Sequence, residues 1–141
     1  PSDAYRQAVS YARNNGALVV AAAGNDSTDQ RTYPAAYRAS VAVSATNRKG
    51  TFASFSNSGS WVDLAAPGVG IYATVPGGYR AVDGTSFSAP ETTALAGLLS
   101  AQGLTDDGAR RRMQNTATDL GANGDDPLYG HGRINAAAAV R

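Results

Sequence analysis

Leu18-Val19-Val20-Ala21-Ala22-Ala23 is an unbroken apolar run, bounded by Gly16 before it and Gly24-Asn25 after it. It is too short for a typical helix. Its lack of alternation asks for cover on both faces, the pattern of a parallel strand inside a sheet. The stretch before it, residues 2–15, places Tyr5, Ala8, Val9 and Ala12 on one stripe, and Gly16 can take the left-handed conformation that stops a helix. A helix feeding a doubly buried strand implies a layered α/β fold. Residues 41–46, 62–65 and 71–75 read as further strands, separated by turn-rich stretches such as Asn57-Ser58-Gly59-Ser60 and Pro76-Gly77-Gly78. The chain then becomes helical over residues 86–102, 105–116 with Thr105 as the cap, and 135–140. There is no linker and no internal repeat.

Composition excludes several functions. At 141 residues, with 43% hydrophobic and 16% charged, the chain is long enough for one domain with a real core and is not of disordered type. A formal net charge of +1 offers nothing to nucleic acid or an acidic membrane surface. The run Arg110-Arg111-Arg112 reads as one solvated helix face. Zero cysteines remove disulfides, thiolate nucleophiles and zinc–thiolate clusters. No apolar run approaches the roughly 20 residues of a membrane span, and no basic-then-apolar signal segment opens the chain.

The chemistry concentrates in Gly84-Thr85-Ser86-Phe87-Ser88-Ala89-Pro90, where an extended segment meets a helix carrying Leu95, Leu98 and Leu99 at helical spacing. Ser86 in the first turn would lie among unpaired backbone N–H groups, which suit a developing oxyanion. Read on its own, Gly-Thr-Ser is equally a helix N-cap. Asn25 after its apolar strand is equally an ordinary turn residue.

Gly-Thr-Ser-x-Ser-x-Pro opening an apolar helix resembles the active-site serine signature of the subtilisin-like serine proteases (peptidase S8). Residues 18–25 resemble the strand that delivers that family's oxyanion-hole asparagine. Trp61-Val62-Asp63-Leu64-Ala65-Ala66-Pro67-Gly68 and Tyr129-Gly130-His131-Gly132-Arg133-Ile134-Asn135-Ala136 are similar to later blocks, in the same order. The resemblance implies a three-layer α/β fold with a mainly parallel sheet, of which residues 1–141 are the C-terminal half of the peptidase domain. It implies a secreted serine endopeptidase acting on polypeptides, with Ser86 as nucleophile and with the Ser86 N–H and the Asn25 amide holding the oxyanion.

The family's Asp and His blocks have no match here, so the resemblance makes the missing N-terminal half a required partner and the isolated chain inactive. The single histidine, His131, has no acid matched to it and stands where the family turns into its last helix, so it is not read as the base.

The resemblance also implies that Ala22, Gly24, Thr32, Tyr33, Pro34 and Ala35 form walls of the substrate pocket, with a cis bond before Pro34 as in many relatives. Tight strand packing is the alternative reading of Ala22 and Gly24. The chemistry needs no cofactor. The resemblance places a weak cation site on Ala35, Tyr37 and Asp63, where oxygen ligands suit Ca²⁺ or a monovalent ion, while a turn-capping Asp63 is the plainer alternative.

Glu91-Thr92-Thr93 departs from the pattern by placing a carboxylate and two hydroxyls on a helix that relatives bury. These groups need partners or an uncovered face, and Glu91 in the first turn would favour the helix dipole. Two other functions remain open: a non-catalytic relative that binds peptides, and an esterase with a serine elbow. Ser88 stands where that elbow wants glycine.

Overall fold

The computed structural model describes all 141 residues. Its centre is strand β2 (Ser40–Thr46), every residue of which is buried. Strands β1 (Val19–Ala22) and β3 (Leu64–Pro67) flank it in parallel, in the order β1-β2-β3, with Val20 opposite Val41 and Val43 opposite Leu64. The apolar run at residues 18–23 is therefore a parallel strand, but it lies at the edge of this sheet and of β1 only Ala21 is buried, so the expected cover on both faces is incomplete in this chain. The strand expected at residues 62–65 starts later, because Val62 closes a turn by donating its N–H to the Gly59 carbonyl.

Alternation along β2 sends its side chains to two different neighbourhoods. Val41 and Val43 face helix α2 (Thr85–Ala101), meeting Leu95 and Leu99, with Met113 of α3 (Asp106–Thr116) and Ala139 of α4 (Ala136–Ala139) behind them. Truncating a side chain as enclosed as Leu99 to alanine would cost about 2–5 kcal/mol. Ala42, on the opposite face, packs with Ala21 and Ala35 beneath Trp61, and the Ser44 hydroxyl donates to the Leu128 carbonyl at 2.7 Å. Layer one is helical, layer two is the sheet, and layer three is built from loops.

Helix caps follow their local chemistry. Thr105 Oγ1 accepts from the Gly108 N–H at 3.2 Å, and Asn135 Oδ1 accepts from the Ala138 N–H at 3.0 Å. Helix α1 (Asp3–Asn14) forms as expected and gives way to Gly16 at φ +76°, yet of its apolar stripe only Val9 is buried and Tyr5 is 65% exposed. The stripe finds little cover in this chain.

Two expectations are corrected. Strand β4 (Ile71–Val75) does not join the parallel sheet; it pairs antiparallel with β5 (Gly78–Val82) in a separate hairpin, with Tyr72 stacked on Tyr79 at 5.9 Å. Pro76-Gly77, with Gly77 at φ +86°, forms the turn, but Gly78 begins the return strand rather than ending the loop. The three arginines are not one solvated face either. Arg110 pairs with Asp63 at 2.5 Å and Arg112 donates to the Ala139 carbonyl at 3.0 Å, leaving Arg111 exposed. No helix is long and apolar enough to cross a membrane.

Candidate active site

The parallel strands point their C-terminal ends at the start of α2, the end of an α/β sheet where ligands bind. Gly68, just past β3, and Gly84, the N-cap of α2, meet there. The Gly84 N–H donates to the Gly68 carbonyl at 2.8 Å, and the Gly68 N–H donates to Thr46 at 2.9 Å. A β-carbon at Gly68 would collide with Ser88 Oγ and stand 2.8 Å from Ala45 Cβ, so only glycine lets helix and sheet close to this distance. Gly84 sits at φ +154°, which bends the extended chain into the helix.

Each polar residue of the serine block then has a separate task. Ser88 is fully buried and donates to the carbonyls of Ala66 (3.0 Å) and Pro67 (3.1 Å), riveting α2 to the end of β3. Thr85, also fully buried, directs its hydroxyl to Asn25 Oδ1 at 2.8 Å and accepts from the Gly24 N–H at 3.2 Å. Ser86 is exposed, its hydroxyl caps nothing, and neither that hydroxyl nor its backbone N–H has a protein partner. The N-cap alternative is thereby removed: α2 has no side-chain cap bond. The only hydroxyl of the block left uncommitted is that of Ser86.

Asn25 has one determinate orientation. Its Oδ1 accepts from the Thr85 N–H at 2.9 Å as well as from the Thr85 hydroxyl, and because a backbone N–H can only donate, the oxygen must face it. The amide nitrogen is left free beside Gly84, 3.6 Å from where a β-carbon there would stand. Asn25 is exposed. Two donors, the Ser86 N–H and the Asn25 amide, thus remain unused on either side of Thr85.

The wall residues divide. Gly24 and Thr32 come together, with Thr32 Oγ1 3.4 Å from the position a Gly24 β-carbon would take, and Ala22 is half-buried at the end of β1. The Tyr33–Pro34 bond is cis, and the Tyr33 ring packs on Tyr37 at 4.5 Å between centroids. Ala35 lies in the small core with Ala21 and Ala42, so its side chain offers no open wall.

Asp63 lies at the other end of β3, and the cation expectation does not fit its surroundings. One carboxylate oxygen takes the Arg110 guanidinium at 2.5 Å, with Gln114 at 3.5 Å, and the other accepts from the Ala42 N–H at 2.8 Å. The same guanidinium donates to the Arg38 carbonyl at 3.2 Å. An arginine therefore stands where a cation would have to bind, and the Tyr37 carbonyl already accepts from the Ser40 N–H at 2.8 Å. His131 belongs to this end too: it is exposed, and its N–H donates to the Asp63 carbonyl at 2.9 Å. The length of β3, about 13 Å at ~3.3 Å per residue, separates it from the Ser86 end, and it makes no triad there.

Glu91 is the seventh residue of α2, beyond its first turn, so the expected dipole benefit is lost. Partial burial without a partner raises its carboxyl above the ordinary value. Thr92 and Thr93 solve the same problem locally by donating to the carbonyls of Ser88 (3.1 Å) and Ala89 (2.9 Å). The face beyond them is open: Thr93, Ala94 and Gly97 are exposed, and Leu98 is 55% exposed.

Sequence reasoning missed Asn57, which it read as a turn residue. Asn57 is fully buried and bonds to both sides of the Asn25 loop. An asparagine among Ser and Gly carries only a turn signal, so nothing local reveals this role.

Comparison with known proteins places the chain in a family. The model of the subtilase family matches residues 1–132. The chain is 42% identical over 137 residues to thermitase of Thermoactinomyces vulgaris, covering 96% of this chain and 48% of that protein. It is 42% identical over 134 residues to a thermophilic serine proteinase of Bacillus sp. (strain AK1), covering 94% of this chain and 33% of that one. The crystal structure of a lanthipeptide protease superposes with a TM-score of 0.90 at 24% identity, over 97% of this chain and 54% of the other. That likeness establishes a subtilisin-like α/β fold. The chain spans half or less of the length of these two sequence relatives. On family match, identity and fold together, the chain belongs to the subtilase family.

Proposed function

We propose that this chain is the nucleophile-bearing half of a serine endopeptidase domain. In this reading Ser86 attacks the scissile carbonyl, the Ser86 N–H and the Asn25 amide hold the tetrahedral oxygen, and an Asp and a His come from a preceding segment of the same protein. The observation that carries it is the division of labour at the start of α2. Thr85 and Ser88 are spent on structure, the Asn25 oxygen is locked, and one serine hydroxyl and two donors are left free.

Each step needs what this arrangement keeps in reserve. A hydroxyl already bonded to protein would have to break that bond before attacking, and a free one has only to meet its base. An amide anchored through its oxygen has its N–H₂ fixed in space before charge develops, so little reorganisation is needed when the oxyanion forms.

The need for a second half is supported by three features: the chain spans half or less of its sequence relatives, the α1 stripe is uncovered, and the α2 face around Leu98 is open. No base reaches Ser86 in this chain, so the isolated polypeptide is expected to be inactive. Polypeptides are the substrate class, secretion follows from the family resemblance, and Gly24 and Thr32 form part of the pocket. Asp63 needs no Ca²⁺ or other cation while Arg110 occupies its carboxylate.

The test is to treat the full-length protein with a fluorophosphonate and map the modified peptide. Label on Ser86, absent from the isolated 141-residue chain, is the expected result; a full-length protein that cleaves peptides without label at Ser86 contradicts it.

A further inference from the structure

Resting on the proposed function, we infer that Asn57 is a positioning residue for the Asn25 oxyanion donor, joining the donor loop to the substrate wall through one buried carboxamide. Its side chain is fully buried on a segment that is neither helix nor strand. Asn57 Oδ1 accepts from the N–H of Asp26 at 2.8 Å and of Thr28 at 3.3 Å. Asn57 Nδ2 donates to the Ala23 carbonyl at 3.2 Å and to Thr32 Oγ1 at 3.0 Å, with Asp26 Oδ2 at 3.3 Å. Its backbone N–H donates to the Gly24 carbonyl at 2.9 Å.

Both lone pairs of the oxygen are used and the two N–H bonds are shared among three acceptors, so the carboxamide has no capacity left, and no other neutral side chain of this size offers two donors and two acceptor lone pairs. They also bracket Asn25. The residue before it is held by the Asn57 backbone and the residue after it by the Asn57 side chain, so the backbone from which Asn25 projects is fixed at both ends. Thr85 then sets only the side-chain rotation. The packing admits no substitute at Gly24, where a β-carbon would collide with Asn57 Nδ2. Because the same nitrogen holds Thr32, displacement of Asn57 moves donor and wall together. Loss of about 1 Å in the placement of a donor is enough to cost on the order of 10²-fold in rate.

A residue acting only through global stability and one acting through Asn25 differ in a double-mutant cycle. In the full-length protein, Asn57→Ala is expected to lower kcat on a chromogenic peptide about 10- to 100-fold and to raise KM several-fold through the Thr32 wall. In an Asn25→Ala background the same substitution should lower kcat less than about threefold. Equal losses in both backgrounds overturn the inference, as does an Asn57→Ala enzyme with wild-type kcat. If the alanine variant does not fold, Asn57→Ser, which can still accept from the Asp26 N–H but gives up Ala23 or Thr32, is read in the same cycle. Should Asn25→Ala alone leave kcat unchanged, it is the oxyanion assignment that fails, and the two failures are therefore distinguishable.

Discussion

The two ends of the parallel sheet treat their polar groups in opposite ways. At the N-terminal end of β3, Asp63 and Arg110 are only 16% and 18% exposed, and both oxygens of the carboxylate are bonded within the protein. At the C-terminal end, Ser86 and Asn25 are exposed, and the Ser86 hydroxyl and Asn25 amide nitrogen are left without protein partners while their neighbours Thr85, Ser88 and Asn57 are saturated. The contrast teaches that polarity alone does not mark a site. The saturated end is a fastening; the other end is a rigid frame around a few uncommitted groups, which is what preorganised chemistry requires.

The contrast is sharpened most by removing a free group. Asn25→Ala in the full-length protein should lower kcat by about 10²–10³, the size found for a side-chain oxyanion donor in subtilisin, with KM changed little. It should also cost about 1 kcal/mol of stability through the lost bonds to Thr85. Steady-state kinetics and a thermal melt check both numbers, and a stability loss without a kcat loss would make Asn25 a fastening like Asp63.

The opposite end should respond in the opposite sense. Arg110→Ala leaves a mostly buried carboxylate with only the Ala42 N–H and the long Gln114 contact as donors, costing about 2–3 kcal/mol of stability, with kcat at a permissive temperature within about twofold of wild type. Thermal unfolding in a Ser86→Ala background, where self-cleavage is suppressed, reads the first, and kinetics of Arg110→Ala with Ser86 intact read the second. A large drop in kcat with no change in stability would break the comparison.

Legibility in the sequence followed the same division. Residues 18–23 announced a parallel strand by their unbroken apolarity, though not that it would be left half-covered at the sheet edge, and α2 and α3 were announced by spacing and by the Thr105 cap, because these signals are local. Ser86 and Asn25 were legible through blocks that resemble a family. Asn57, the Arg110–Asp63 pair and the β5 return strand were not. The Asn57 contacts reach residues up to 34 positions away, and Asp63 and Arg110 lie 47 apart, so their partners are set by the fold rather than by any neighbouring residue. The return strand opens on Gly78, whose ordinary meaning is a turn.

The smallest effect concerns the open face of α2. Burial raises the Glu91 carboxyl above the ordinary carboxylate value, so its ionisation opposes folding. The contribution it makes is complete below the unfolded-state value and is lost as pH climbs through the raised folded value. Glu91→Gln should therefore melt higher than wild type at pH 7 and converge with it below about pH 4. Differential scanning calorimetry across that range checks the sign; a variant less stable at pH 7 would show that Glu91 has a partner.

The central claim, that Ser86 and the Asn25 amide serve one oxygen, is tested most directly by a crystal structure of the full-length protein carrying a peptidyl boronate or aldehyde adduct. The account predicts a covalent bond to Ser86 Oγ and an adduct oxygen about 2.7–3.1 Å from both Asn25 Nδ2 and the Ser86 backbone nitrogen. An adduct on another residue, or an oxygen turned away from Asn25, would contradict it.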